Sequence, residues 1–357
     1  MSGGVDSSVT AALLAAQGYE VLGVSLRLWE GAGERGPRNC SDYRGAGEVA
    51  ELLGIPHALV DLRSEFMRAV VEPLARSYLG GRTPNPCVAC NRDFKIAVLL
   101  RWADEHDADY VATGHYARIL LNPSTQTPSL LRGVDREKDQ SYFLFSLSQE
   151  QLARLLFPVG GMTKGEVRES ARGFDLPVAD RPDSQDICLG DYRDLVESLA
   201  QDEERASGEM VDQDGRVLGH HRGIHRFTIG QRKGLGLTAP EPLYVLGIDG
   251  DSKRVVVGGR AGLDCHGLIA HSAQWIEPPA DEEVPAEIQV RYRAPAVPCR
   301  VRFLPENKFE AHFDRPFRAV TPGQAAVLYQ GERVLGGGWI EKAISKEAVS
   351  NQLKTLG

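Results

Sequence analysis

The first residues able to do chemistry form a glycine-rich string, Ser2-Gly-Gly-Val-Asp-Ser-Ser8, directly before a stretch with helical spacing. Adjacent glycines let the backbone approach a ligand and direct successive N–H groups at it. A helix N-terminus adds the positive end of its dipole, which favours an anion such as phosphate. Ser2, Ser7 and Ser8 add hydroxyl donors, and Asp6 can hold a Mg²⁺ that bridges phosphates. The simpler alternative is a turn in which Asp and Ser cap the helix.

Cysteines supply the second set of reactive side chains. Cys90 precedes a predicted helix and has Arg92 and Lys95 nearby in sequence, an environment that lowers the pKa of a thiol and makes a nucleophile of it. Cys188 is remote in sequence but can meet Cys90 in space. The remaining cysteines outside the motifs, Cys40, Cys265 and Cys299, are expected to be buried as small apolar side chains.

Cys87 creates a Cys87-x-x-Cys90 spacing, which suits a metal ion or an iron–sulfur cluster. Together with Cys188 it would give three thiolates and one open position, as in a [4Fe–4S] cluster that carries sulfide. Zinc is a further option, although only three ligands are evident. An ordinary small residue in a proline-rich loop is the remaining interpretation of Cys87.

The glycine-rich string resembles the signature of PP-loop ATP pyrophosphatases. This resemblance implies transfer of AMP to an oxygen with release of pyrophosphate, and a loop that follows a first β-strand. Since Met1 stands where that strand should end, we expect the first strand to be missing from this chain. There is no Gly-Lys-Ser/Thr, so the string differs from the loop of ATPases that cleave between the β- and γ-phosphates.

Further motifs in the chain narrow the resemblance to one family, the bacterial tRNA-specific 2-thiouridylases. The motifs are Gly81-Arg-Thr-Pro-Asn-Pro-Cys-Val-Ala-Cys-Asn91, Ala112-Thr-Gly-His-Tyr116, Lys138-Asp-Gln-Ser-Tyr-Phe143, Asp183-Ser-Gln-Asp-Ile-Cys188 and Thr228-Ile-Gly-Gln-Arg-Lys-Gly-Leu-Gly236. Many relatives have Asp in place of Cys87. The resemblance implies ATP-dependent 2-thiolation of the wobble uridine at tRNA position 34, giving 2-thiouridine, AMP and pyrophosphate.

The family's chemistry implies distinct roles for the two motif cysteines. Adenylation of uridine O2 turns a poor leaving position into AMP, and sulfur can then attack C2. The resemblance implies that Cys188 receives a persulfide from a cysteine desulfurase or relay protein and delivers the sulfur. It further implies that Cys90 is the nucleophile that resolves the pair, leaving a Cys90–Cys188 disulfide to be reduced.

The resemblance also assigns binding residues by position. Those expected to bind ATP are Ser2, Gly3, Gly4, Val5, Asp6, Ser7, Ser8, Leu26 and Gly114, with Asp6 holding Mg²⁺ through the nucleotide. Those expected to bind the tRNA anticodon stem-loop are Asn85, Pro86, Cys87, His115, Lys138, Asp139, Gln140, Arg291, Tyr292 and Gln324. For Leu26 a core role is equally open, His115 can be structural, and residues 138–140 can instead form a solvated turn.

The elements that must position these residues alternate along the first half of the chain. Apolar spacing predicts helices over 7–17, 46–53 and 94–105, strands over 21–28, 57–61 and 110–113, and a capped helix that starts at Thr163. This alternation favours an α/β fold with a parallel, Rossmann-like sheet. We predict a PP-loop domain over 1–185, a small mixed central domain over 186–258, an antiparallel β-barrel over 259–342 and a tail over 343–357.

Composition limits the class of protein. The net charge of −8 argues against binding nucleic acid by bulk electrostatics but allows local basic clusters, such as the one around Arg222, Arg226 and Lys233. Absence of an 18-residue apolar run or a secretory signal predicts a cytoplasmic protein with no membrane partner. Two other functions stay open: a PP-loop amide-forming ligase, which needs no paired reactive cysteines, and a non-catalytic RNA-binding relative.

Overall fold

The computed structural model describes residues 1–29, 42–182, 192–200, 207–278 and 281–345. The chain divides into two compact units. The first comprises Met1–Val70, Cys87–Asp191 and Glu332–Val334, and the second comprises Val71–Pro86, Tyr192–Gly331 and Leu335–Gly357. The three predicted domain boundaries stay predictions.

The first unit has the alternating helices and strands expected of an α/β fold. In chain order they are α1 (Val5–Ala16), β1 (Gly23–Arg27), α2 (Tyr43–Leu53), β2 (His57–Asp61), α3 (Arg63–Phe66), α6 (Ala97–Glu105), β3 (Val111–Ala112), β4 (Ala117–Leu121), β5 (Pro128–Arg132), α7 (Gln149–Ala153), β6 (Leu155–Leu156) and α8 (Lys164–Gly173). Helix α4 (Glu72–Leu79) belongs to the second unit, whereas α5 (Pro86–Ala89) starts at the last residue of that unit's first segment and continues in the first unit. Within the described ranges, no helix has both the length and the apolar character needed to cross a membrane.

Parallel strand pairs confirm the predicted fold class. β1 pairs with β2 in parallel, with Gly23 opposite His57, and β3 pairs with β6 in parallel, with Val111 opposite Leu155. Met1 lies beside β1, since the Ser25 hydroxyl donates to the Met1 carbonyl at 2.7 Å. The absence of a strand before the glycine loop stays a prediction.

Helices α1 and α8 share the core of the first unit. Val5 and Val9 of α1 pack in one buried cluster with Val167 and Ala171 of α8. Val167 and Ala171 form the apolar side of the amphipathic α8, whereas α1 is buried over most of its surface, Ser8 and Thr10 included. The predicted cap at Thr163 is confirmed, because its side chain accepts from the N–H of Glu166 and the Glu166 carboxylate accepts from the N–H of Thr163.

The helical segment with the cysteines begins earlier than predicted. Apolar spacing placed its start at residue 94, but helical structure begins with Pro86 in α5 and continues through a π-helical stretch, Cys90–Ile96, into α6. Proline suits a first helical position, because its missing N–H has no partner there in any case. Cys90 therefore lies within helical structure and not before it.

The second unit contains two sheets. Its elements are α9 (Tyr192–Leu199), β7 (Gly208–Val211), β8 (Val217–His221), β9 (Tyr244–Asp249), β10 (Arg254–Gly258), β11 (Asp264–Trp275), β12 (Glu283–Gln289), β13 (Val297–Leu304), β14 (Lys308–Arg318), β15 (Ala325–Gln330) and β16 (Arg333–Ile344). The first sheet has the order β8-β7-β10-β9. Its buried side chains include Met210, Val245 and Val255. Antiparallel hairpins around Asp214 and Gly250 connect β7 to β8 and β9 to β10.

The last six strands form the predicted antiparallel barrel. Their order is β11-β14-β13-β12-β15-β16, and an additional pairing of β11 with β16 closes the ring. Alternate side chains fill the interior, among them Leu268, Ile288 and Phe309, each with no exposed surface.

Candidate active site

The glycine loop leads directly into α1. Gly3 has a φ of +74°, which favours glycine, and a Cβ there would lie 2.2 Å from the carbonyl oxygen of Asp42. Gly4 has extended backbone and is the N-cap of α1. The N–H groups of the first turn have no partner within their own helix. The loop thus has the geometry of an anion site at a helix start.

Hydroxyl groups hold the loop together. The Ser7 and Ser8 hydroxyls donate to the Gly4 carbonyl at 3.2 and 2.9 Å, and the N–H of Ser2 donates to the Ser7 oxygen at 3.1 Å. The Gly3 carbonyl accepts from the Arg181 guanidinium at 2.9 Å. Each serine hydroxyl has one proton to donate, so in this arrangement Ser7 and Ser8 shape the loop through Gly4.

Asp6 is the acidic residue in the first turn of α1, and both of its carboxylate oxygens accept hydrogen bonds from charged or hydroxyl groups. The Tyr116 hydroxyl donates to Oδ1 at 2.6 Å, and the Lys164 ammonium lies 2.7 Å from Oδ1 and 2.9 Å from Oδ2. Lys164 also lies 5.7 Å from the centre of the Tyr116 ring. Sequence reasoning missed Lys164, since its only signal was its place after the Thr163 cap.

Gly114 packs directly against the start of α1. It lies in the segment after β3, at the carboxyl end of a parallel strand, where α/β folds bind ligands. A Cβ on Gly114 would lie 2.8 Å from both the Asp6 carbonyl carbon and the Ser7 nitrogen. The structure thus brings Gly114 to the glycine loop, as an ATP-binding role requires. Leu26 is partly exposed in β1, and its role stays a prediction.

His115 is next to Gly114 and is held as a neutral ring. Its Nδ1 lies 2.8 Å from the Thr113 hydroxyl, and its ring meets Phe157 edge-on at 6.0 Å. Burial, and secondarily the charge of Lys95, lower the pKa of His115 to about 3. A ring that is neutral at pH 7 can exchange hydrogen bonds with a substrate but does not start as a general acid.

Cys87 and Cys90 lie one helical turn apart, a spacing that puts both side chains on the same side of a helix. Cys90 is 5% exposed, and Cys87 is partly exposed. Within the described part of the chain, no three His, Cys, Asp or Glu side chains form a metal-binding group. Cys188 and Cys40 lie outside the described residues, so the predicted meeting of Cys90 with Cys188 stays a prediction.

The segment Lys138–Gln140 is tightly built. The Asp139 carboxylate accepts from the Arg132 guanidinium at 3.2 Å, from the N–H of Gly133 at 2.9 Å and from the N–H of Ser141 at 3.0 Å. The side-chain oxygen of Gln140 accepts from the N–H of Tyr116 at 3.0 Å. Asp139 and Gln140 therefore fix this loop, and their predicted contact with tRNA stays untested.

The remaining predicted tRNA residues lie in the second unit. Gln324 donates to the Thr83 and Pro84 carbonyls at 2.8 and 3.3 Å, directly before Asn85 and Pro86 in the chain. Arg291 and Tyr292 lie in the loop after β12, where Arg291 is exposed and its guanidinium carbon lies 5.9 Å from the Phe317 ring centre. Their roles stay predictions, although an exposed arginine beside an aromatic ring suits RNA.

Three family models match the chain in order. They are described as a tRNA methyl transferase HUP domain over residues 1–191, a tRNA methyl transferase PRC-barrel domain over 197–259 and an aminomethyltransferase beta-barrel domain over 265–340. The first alone spans more than half of the chain.

Curated relatives match almost the whole chain. A tRNA-specific 2-thiouridylase MnmA of Geobacter metallireducens is 49% identical over 97% of this chain and 96% of its own length. Relatives with the same name from Geotalea uraniireducens and from a Picosynechococcus species are 48% and 49% identical, over 99% and 96% of this chain and 96% and 97% of their own lengths. With its parallel sheet, its glycine loop and its closed barrel, the chain belongs to the tRNA-specific 2-thiouridylase family.

Proposed function

We propose that this protein is a tRNA-uridine 2-sulfurtransferase, which uses ATP to replace O2 of the wobble uridine by sulfur. The observation that carries the proposal is the contact of Gly114 with the first turn of α1, which joins the glycine loop to the segment of His115 in one site. The names of the relatives support tRNA as the substrate. The predicted cytoplasmic location belongs to the same proposal.

The first step activates the uridine. O2 attacks the α-phosphorus of ATP, an O–P bond forms, and pyrophosphate leaves. The N–H groups at the start of α1 stabilise the charge on the phosphates. Magnesium fits this donor set, because the Asp6 carboxylate, the serine hydroxyls and the phosphates are all oxygen ligands. When bound, the ion neutralises phosphate charge.

The second step transfers sulfur. The terminal sulfur of a persulfide on Cys188 attacks C2, and AMP leaves with the former O2. The Cys90 thiolate then attacks the Cys188 sulfur, so that the persulfide S–S bond breaks, 2-thiouridine is released and a Cys90–Cys188 disulfide forms. An external thiol reduces this disulfide, and a cysteine desulfurase or relay protein supplies the next sulfur.

A single assay tests this proposal. Formation of 2-thiouridine on transcript tRNA is measured anaerobically with ATP and a persulfide donor. We expect Cys90→Ser and Cys188→Ser to abolish it while ATP-dependent pyrophosphate release in a single turnover persists. Cys265→Ser, which changes a partly exposed thiol in the barrel, serves as the matched control. Full formation of 2-thiouridine in both site variants would contradict the cysteine route. ATP-dependent pyrophosphate release by the unaltered protein without any 2-thiouridine would favour an amide-forming ligase.

The same assay separates the persulfide route from a [4Fe–4S] cluster. We expect activity without iron, and Cys87→Ala to retain it. Iron bound in stoichiometric amount, together with loss of activity in Cys87→Ala, would replace the persulfide route by cluster chemistry on Cys87, Cys90 and Cys188. Absence of pyrophosphate release from the unaltered protein would instead favour a non-catalytic RNA-binding protein.

A further inference from the structure

Lys164 has a fixed backbone and a long, adjustable side chain. It is the first residue of α8, whose start is held by the reciprocal bonds of Thr163 and Glu166. Its own N–H donates to the Asp135 carboxylate at 2.9 Å. The side chain reaches from this anchored position to Asp6 on α1, and four rotatable bonds let its ammonium move without movement of the helix.

The ion pair of Lys164 with Asp6 adds to an apolar contact between the two helices. Val5, Val9, Val167 and Ala171 already pack α1 against α8 in the apolar core. The Lys164 side chain is 13% exposed and that of Asp6 is 32% exposed, so the pair lies at the border between this core and the glycine loop. The position of this ion pair, beside the glycine loop, indicates a role in ligand binding at the loop.

Lys164 competes with a metal ion for Asp6. The ammonium lies within 2.9 Å of both carboxylate oxygens, and Tyr116 donates to one of them. A Mg²⁺ ion needs direct access to a carboxylate oxygen, at a much shorter distance than an ammonium. A metal ion and the ammonium on one carboxylate repel each other, so a metal ion bound to Asp6 would favour withdrawal of Lys164. An ammonium withdrawn beside the loop would then have the phosphates as a counter-charge.

We propose that the Asp6–Lys164 ion pair exchanges partners when magnesium and the nucleotide bind, so that Asp6 passes to the metal and the Lys164 ammonium passes to a phosphate oxygen. The proposal rests on the proposed function, because it takes the glycine loop to be the ATP site. It adds Lys164 as a phosphate-binding residue. In the absence of ligand, the same ammonium neutralises Asp6 and keeps free metal ions off the loop.

The test measures binding in the absence of tRNA, with two probes. Magnesium pyrophosphate binding is followed by calorimetry, and Mn²⁺ alone is followed by the spin-resonance signal of the free ion. In Lys164→Met we expect magnesium pyrophosphate to bind about 10- to 100-fold more weakly, the usual effect of losing one charge-assisted hydrogen bond. We expect Mn²⁺ alone to bind more tightly, because Asp6 has lost its competitor.

Two further variants complete the test. Lys164→Arg keeps the charge and should restore most of the affinity for magnesium pyrophosphate. Arg172→Met removes the exposed ion pair with Asp180 at the other end of α8 and should change neither probe. Thermal unfolding confirms that each variant is folded.

The results distinguish this inference from the proposed function. Unchanged affinity for magnesium pyrophosphate in Lys164→Met, or weaker binding of both probes, would overturn the exchange, even if the unaltered protein makes 2-thiouridine. An unaltered protein that binds neither ATP nor pyrophosphate would overturn both proposals.

Discussion

At the scale of single residues, His115 shows how neighbouring charge and burial set the chemistry of a side chain. Desolvation disfavours its imidazolium form, and the cation of Lys95 disfavours it further, so that its pKa falls to about 3. The Thr113 hydroxyl fixes one ring nitrogen and leaves the other to contact a substrate. A positioning role therefore suits His115 better than proton transfer from an imidazolium.

This pKa predicts a dependence of stability on pH. Between pH 6.5 and pH 3 the unfolded chain binds a proton at residue 115 that the folded protein does not, so the free energy of unfolding falls as the pH falls. The contribution of His115 should decrease by about 1–2 kcal/mol between pH 7 and pH 5. In His115→Gln, urea unfolding should show a correspondingly flatter pH dependence. The exposed His106→Gln is the control, and an unchanged slope in His115→Gln would refute the assigned pKa.

At the scale of elements, the contact between the Gly114 segment and α1 leaves no room for a side chain. A methyl group on residue 114 would lie 2.8 Å from the Ser7 nitrogen, so the first turn of α1 must shift. Gly114→Ala should therefore weaken ATP binding by about tenfold or more, measured by equilibrium dialysis without tRNA. It should also lower the free energy of unfolding by about 1–3 kcal/mol.

Gly161→Ala is the matched control for this substitution. A Cβ on Gly161 meets no atom within 4 Å, although the residue belongs to the same unit. Equal losses of ATP affinity in the two variants would show that the close approach of Gly114 to α1 is unimportant for binding.

Sequence patterns predicted those elements whose signals are local. The strand over 57–61 has the predicted bounds, and α8 starts at its capping box, because alternation and caps act within a few residues. The hairpin of β4 and β5 was missed, since Leu120 and Leu121 at its exposed end break the alternation that marks a half-buried strand. The early start at Pro86 was missed because apolar spacing becomes regular only later in the helix.

For the candidate site too, the sequence predicted the residues that are adjacent in the chain and missed those that only packing brings together. The glycine loop was predicted because all of its groups are adjacent in the sequence. Lys164 was not, because its partner Asp6 is 158 residues away and only the packing of α1 on α8 brings them together. Burial of the Asp139 carboxylate was not predicted either, because the polar sequence Lys138-Asp139-Gln140 does not indicate that its central side chain is buried.

At the scale of the whole molecule, the net charge of −8 implies that tRNA is attracted by a few local cations. We therefore expect tRNA affinity to fall with salt, and Arg291→Ala to reduce the slope of log K against log salt by about one. Filter binding at several salt concentrations measures the slope. Arg76→Ala removes an arginine that is 77% exposed and paired with Glu72, and it should leave the slope unchanged. The same slope in all three proteins would place the tRNA elsewhere.

Closure of the barrel by β11 and β16 has a consequence for recognition. Within the described residues the six strands pair all the way round the ring, so a partner finds little free strand edge there to which it could add a strand of its own. Contacts with this part of the protein must be made through side chains and through the turns between strands. A nucleic acid, which brings phosphates and flat bases in place of peptide groups, is well matched to such a surface.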